Sequence, residues 1–189
     1  AGFQPRAAVV YMTVAALAAA GAVGDEVEGA APLLAELADE WGPDGEDDSE
    51  AKRLARALNG SIPVVVGAGR TVAAARRWKT QINENASSPA FWSELPEADH
   101  NEICGYERPL ALVLLDDAGL DERLRQRIDL TARSVDVPVE RVEARGETPF
   151  ERVMSLVLLG DLVSVYMAVL AGKDPTPVPA IDRLKAELG

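Results

Sequence analysis

The sequence predicts an α/β fold: a three-layer α/β/α domain with a mainly parallel sheet, preceded by N-terminal helices. Three observations carry this. Short β-branched runs bounded by glycine, above all Ile62 to Val66 between Gly60 and Gly67, read as strands buried on both faces. Stretches of helical pattern separate these runs, and strands alternating with helices predict parallel pairing through right-handed crossovers. The first sixty residues, by contrast, carry helical pattern alone.

In chain order, Pro5 suits a first helical turn, and Arg6 to Ala20 has helix-forming composition that stops at Gly21. Asp25 to Trp41 sets Leu33, Leu34, Leu37 and Trp41 at helical spacing. The acidic stretch Gly42 to Glu50 is a loop, from which Asp48 or Ser49 caps a helix reaching Leu58, and Asn59-Gly60 ends it. After the Ile62 strand, Gly67-Ala68-Gly69-Arg70-Thr71 turns the chain into a helix over Val72 to Asn85. A shorter strand is expected at Ala90 to Trp92, then a helical turn around Ala98 to Ile103. Leu110 to Leu115 is the clearest strand, and Asp116-Asp117-Ala118-Gly119 hands it to an amphipathic helix over Asp121 to Ser134. Val137 to Ala144 reads as a strand, Thr148-Pro149 to Ala171 as a long apolar helix, and Ala180 to Leu188 as a terminal helix behind a proline-rich link. We divide the chain into residues 1–60, a helical segment packing on the domain or on a dimer interface, and residues 61–189, the α/β domain.

The chain of 189 residues has room for one domain, and 48% hydrophobic with 26% charged residues is ordinary globular composition. A formal net charge of -12 repels nucleic acid, and an anionic substrate needs a local cluster of donors to be held. One cysteine, Cys104, and one histidine, His100, give neither an intrachain disulfide nor a thiolate or imidazole-rich zinc site. An all-carboxylate magnesium site stays open on composition, and a reducing, cytoplasmic setting fits best. The apolar run Ala7 to Val23 is alanine-rich and short, with Arg6 alone as its basic flank. It reads as a helix packed into a core or a dimer interface and not as a membrane span.

Open parallel sheets bind ligands beyond the carboxyl ends of their strands. The turn Gly67, Gly69, Arg70, Thr71 offers close backbone approach, a helix N-terminus, a cation and a hydroxyl, suited to an anion or sugar cradle; plain turn geometry explains the same residues. Glu84 sits at the carboxyl end of a helix, where the macrodipole disfavours its ionised form and moves it toward the range of a general base; the alternative is a solvated glutamate. His100 opens a short helical turn that favours neutral imidazole, with Asp99 or Glu102 to orient it; it can equally be a surface residue. Lys185 is a surface charge or a catalytic cation, and Thr176, between two prolines, is a rigidly aimed hydroxyl or part of a stiff link.

The segments Arg76 to Ala86 (RRWKTQINENA), Pro89-Ala90-Phe91, Leu95-Pro96-Glu97 and His100-Asn101-Glu102-Ile103 with Gly105 together resemble the C-terminal sugar-isomerase (SIS) domain of bacterial and archaeal phosphoglucose/phosphomannose isomerases. The resemblance is strongest across Ser61 to Tyr106, looser through the Leu110 strand and the DPTPV link, and fades in the first sixty residues. It implies isomerisation of glucose 6-phosphate to fructose 6-phosphate, with mannose 6-phosphate as a further substrate, through an enediolate and without cofactor or metal. Glu84 is then the residue that moves the proton between C1 and C2. His100 opens the sugar ring in the neighbouring subunit of a homodimer, Lys185 assists ring opening and charge stabilisation, and Thr176 or Val178 stands where the family carries a threonine tied to acceptance of both epimers. The resemblance also implies an earlier SIS domain whose glycine- and serine-rich loop clamps the sugar phosphate, and an arginine near the enediolate. Without that domain the chain is expected to be a poor enzyme. A non-catalytic SIS module that binds a phosphosugar as a regulatory ligand is the alternative; Glu84 and His100, which such a module does not need, favour the enzyme.

Overall fold

The computed structural model describes residues 5–189. A 3-10 turn (Pro5–Ala8) leads into helices α1 (Val9–Ala19), α2 (Asp25–Trp41) and α3 (Glu50–Leu58), then strand β1 (Ile62–Ala68). The 3-10 turn Gly69–Thr71 opens α4 (Val72–Asn85), followed by β2 (Phe91–Leu95) and two more 3-10 turns, Glu97–His100 and Glu102–Gly105. Strand β3 (Leu110–Asp116), α5 (Glu122–Ser134), β4 (Val139–Glu143), α6 (Pro149–Leu170) and α7 (Pro179–Leu188) complete the chain.

The four strands form one sheet in the order β2-β1-β3-β4, every pair parallel. Side chains alternate between its faces, as the two-residue strand period requires. Val65, Ala111, Val113, Leu115 and Val142 point into one core with α2, α3, α4 and α6. Val64, Val66, Leu112 and Leu114 point into the other with Ile128 of α5 and with Ala98 of the first 3-10 turn after β2. Leu37 and Trp41 of α2 and Ala51, Leu54, Ala55 and Leu58 of α3 belong to the first core.

Helix α6 is long and apolar enough to cross a membrane by length and composition, yet 56% of its most apolar window is buried within the domain. A helix apolar on all sides is what a central core position demands. It runs beside α4 at close range: a Cβ placed on Gly160 would lie 2.2 Å from the Trp78 ring, whose Nε1 donates to the Leu156 carbonyl at 2.6 Å.

Element boundaries depart from expectation where pairing or capping decides them. The strand expected at Ala90 to Trp92 runs on to Leu95, because Phe91 to Leu95 pair in register with Val64 to Ala68. As an edge strand β2 is paired on one side alone among the described residues, and its Phe91 and Trp92 stay exposed. The single helical turn expected at Ala98 to Ile103 is split at Asn101, whose side chain accepts from Glu102 N at 2.6 Å and starts the second turn. The helix expected from Arg6 begins as a 3-10 turn, with no side-chain cap at Ala8.

Candidate active site

Glu84 lies in the last turn of α4, at the edge of the sheet where the strands begin. Its carboxylate is 3.6 Å from the Arg6 guanidinium, and 34% of the side chain stays open to solvent while Arg6 keeps only 10%. Arg6 does more than pair with Glu84. Its Nη2 donates to the carbonyls of Pro175 and Thr176 at 2.7 and 2.8 Å, which ties the link before α7 to the same spot. Lys173 donates to the carbonyls of Ala86 and Ser87 at 2.8 and 2.9 Å, closing the end of α4 with a cation where the helix dipole favours one. Thr176 and Glu84 are thus brought together through Arg6. A groove of about 290 Å³ opens beside Glu84, lined by Asn83, Val178, Ile181 and Arg183 among others, and one of about 280 Å³ lies beside Arg6, lined by Gln81, Asn85, Asp161 and Thr176.

Beneath this surface, α4 and α6 are joined by polar rungs. Arg77 donates from Nε and Nη2 to the two oxygens of Asp161 at 2.9 and 2.6 Å, and from Nη2 also to the Arg6 carbonyl at 2.8 Å. Burial pushes the Asp161 carboxyl up, against the pull of Arg77. Two turns further along α4, Asn85 donates to Ser164 at 2.8 Å and to Gln81 at 3.4 Å.

The turn expected to cradle an anion lies at the other end of α4, thirteen residues and roughly 20 Å of helix axis from Glu84. No single hexose phosphate touches both within one chain. The groups of this turn are bonded within the fold. Thr71 is buried, accepts from Ala68 N at 2.8 Å and lies within 3.3 Å of the Leu115 carbonyl. A Cβ on Gly67 would meet the Val72 backbone at 2.7 Å, so glycine there lets strand and helix approach. Gly69 has φ +53, the left-handed conformation. Arg70 is 3.4 Å from the Asp117 carboxylate and donates to the Gly119 carbonyl at 3.2 Å. Arg152 Nε is 2.8 Å from Asp117 as well, while Asp116 next to it takes hydrogen bonds from Arg125 and Arg141. Burial pushes the Asp116 carboxyl up, but the two guanidinium groups outweigh it and hold the group below its ordinary value.

His100 is exposed at the end of a 3-10 turn that covers the sheet face opposite α4. The two carboxylates proposed from sequence to orient it are engaged elsewhere. Asp99 accepts from Thr131 at 2.8 Å and meets Arg127 at 3.4 Å; Glu102 pairs with Ser93 and, at 3.4 Å, with Tyr106. Burial pushes the Tyr106 phenol up to about 12, which keeps it a neutral donor. The sheet lies between Glu84 and His100 of one chain. Lys185 is exposed on α7, about 9 Å of helix axis beyond Pro179 at its start. Among the described residues, no three histidine, cysteine or carboxylate groups gather as a metal site.

Residues 47–188 match the family model of the bacterial phospho-glucose isomerase C-terminal SIS domain. The chain belongs to this family. As an SIS domain it is 37% identical over 196 residues to a bifunctional phosphoglucose/phosphomannose isomerase of Aquifex aeolicus, and 37% identical over 204 residues to one of Caldicellulosiruptor bescii. Each match takes in 99% of this chain, so both alignments reach into the first sixty residues, while the family model begins at residue 47. The chain spans 59% and 60% of the length of those two relatives. In fold it is similar to a glucose-6-phosphate isomerase like protein from Thermus thermophilus, with TM-score 0.78, 24% identity, and coverage of 97% of this chain and 66% of the other.

Arg6, Asp161 and Lys173 of this SIS domain escape a reading of its motifs, and Arg77 lies within the RRWKTQINENA segment with no role marked for it. Their partners are distant in sequence, 169 positions apart for Arg6 and Pro175 and 84 for Arg77 and Asp161. Only an arginine directly after Pro5, in an otherwise uncharged run, hinted at the first of them.

Proposed function

We propose that this SIS domain is the acid/base half of a phosphoglucose/phosphomannose isomerase. It interconverts glucose 6-phosphate and fructose 6-phosphate, and takes mannose 6-phosphate as a further substrate. The observation that carries this is a glutamate at a helix end, one third open beside a groove, with a guanidinium 3.6 Å away.

Moving a proton between adjacent carbons needs one group that accepts and returns it, and positive charge near the oxygens of the enediolate. Glu84 removes the proton from C2 of the open-chain aldose and delivers it to C1, while the hydroxyl proton at O2 passes to O1; the reverse sequence regenerates the aldose. Arg6 stands where the negative charge grows and takes the part of the arginine that the motifs left unassigned. Lys185, on the helix that opens beside the Glu84 groove, adds a second cation. His100 donates to the ring oxygen in the site of a partner subunit, a division that its place on the opposite sheet face favours. The active unit is then a homodimer. A preceding SIS domain supplies the phosphate clamp, whose binding energy positions the reacting carbons. Thr176, held beside Glu84 through the Arg6 contact to its carbonyl, supplies the hydroxyl that meets the epimeric C2 position, the part of the family threonine. The Gly67–Thr71 turn serves the fold and lies outside this site. Its single free cysteine suits a cytoplasmic protein.

The test is conversion of glucose 6-phosphate by the full-length protein, followed by coupled detection of fructose 6-phosphate, in wild type and Glu84→Gln. We expect turnover in wild type and a loss of about a hundredfold or more in Glu84→Gln, the usual worth of general acid/base catalysis. Binding of the sugar phosphate without turnover in wild type would instead identify a regulatory module, and full activity in Glu84→Gln would remove the base.

A further inference from the structure

We infer that Asp161 and Arg77 form a positioning pair that fixes Arg6, and with it the 175–176 link, over the Glu84 carboxylate. The inference rests on the acid/base reading of Glu84, and it concerns residues that touch no substrate.

The geometry is a relay of three links. Asp161 takes both prongs of the Arg77 fork, at 2.9 and 2.6 Å, and so fixes the plane of that guanidinium. The same Nη2 reaches the Arg6 carbonyl at 2.8 Å and anchors the first turn of the chain to α4. Arg6, held by its backbone, then spans outward: its Nη2 grips the Pro175 and Thr176 carbonyls and its Nη1 faces Glu84 at 3.6 Å. One arginine holds the backbone of another whose side chain faces the base.

Stability alone does not account for such a pair. Arg77 and Asp161 keep 16% and 28% of their side-chain exposure, and a largely desolvated ion pair contributes little or nothing net beside apolar residues of the same volume. What it gives is fixed geometry. Only a guanidinium can serve a carboxylate bidentately and a carbonyl at once, so lysine at 77 keeps the charge and loses the relay. Among the described residues, the Arg6 guanidinium makes the hydrogen bonds that join the first turn to the link before α7.

The experiment uses the full-length protein with Arg77→Lys, Asp161→Asn, Arg6→Ala and the double variant Arg6→Ala/Asp161→Asn. For both Arg77→Lys and Asp161→Asn we expect kcat to fall about tenfold to a hundredfold with KM within about twofold, the effect of a displaced group and not of lost binding. In the double variant Asp161→Asn should add almost nothing to the loss from Arg6→Ala, since its effect runs through Arg6. Additive losses, or wild-type kcat in Arg77→Lys, would overturn the relay. Hydrogen exchange supplies a readout that needs no turnover: amides of residues 174–182 should exchange about fivefold faster or more in Arg77→Lys, with β1 and β3 unchanged. Faster exchange in a protein that shows no isomerase activity sinks the acid/base reading and keeps the pair; unchanged exchange sinks the pair.

Discussion

At the carboxyl edge of the sheet, Asp116 and Asp117 are at most 1% exposed and each meets two arginines, whereas at the amino edge Glu84 meets one and keeps a third of its side chain open. The two edges draw on the same residue types. What differs is how many cations each carboxylate meets and how far it is shut off from solvent. A carboxylate enclosed by guanidinium groups is committed to holding β3, α5 and α6 together. One that is a third open and singly paired retains capacity for a ligand, and under the proposed function the chemistry then lies at the amino ends of the strands, opposite the usual ligand side of an α/β fold.

Exchanging the two edges by mutation should separate stability from turnover. The largest effect is expected from Asp116→Ala, which takes the acceptor from the buried Asp117 N–H and the shared carboxylate from Arg125 and Arg141. Urea unfolding should show a loss of about 3–5 kcal/mol, with KM for glucose 6-phosphate unchanged in whatever fraction folds. Glu84→Gln should give the opposite profile, with unfolding free energy within about 0.5 kcal/mol of wild type. A KM that shifts with Asp116 would break the distinction between the edges. Next in size is Thr71→Val, which removes a hydroxyl that accepts from Ala68 N and should cost about 1–3 kcal/mol without touching substrate affinity. If it raised KM instead, the Gly67–Thr71 turn would be a sugar contact after all.

The pH dependence sharpens the same point. Asp116 has a folded-state value below its ordinary 3.8, so its contribution is complete above about pH 4 and is lost as pH falls through the folded value. Wild type should therefore lose stability more steeply than Asp116→Asn on acidification below about pH 4, as read from urea midpoints. The smallest effect is expected from Lys173→Met, about 1 kcal/mol or less of stability, because a cation at the end of a helix is worth about that much.

Much of the scaffold could be read directly from residue order. The β-branched run at Ile62, the LALVLL segment at Leu110 and the glycines around them mark β1 and β3, because central parallel strands must be apolar on both faces. The edge strand was harder. Phe91 to Leu95 carries Ser93 and Glu94 and owes its length to pairing with β1, which no local pattern encodes. Glu84 was legible as a candidate from its place at a helix end, but its surroundings were not. Arg6 and the 175–176 carbonyls arrive from the two ends of the chain, and Asp99 and Glu102, which looked free to orient His100, are taken by Thr131, Arg127, Ser93 and Tyr106.

The absence of a side chain at Gly160 carries a consequence for divergence among relatives. With Trp78 lying across that position, the separation of two neighbouring helices is set by one methyl group that is not there. A lineage that acquired alanine at 160 would have to shrink the indole in compensation. Otherwise the helices would be pushed apart and the arginine–aspartate rung at 77 and 161 pulled out of reach, so that a wholly apolar substitution would be felt at Glu84, less than two turns along α4 from Trp78.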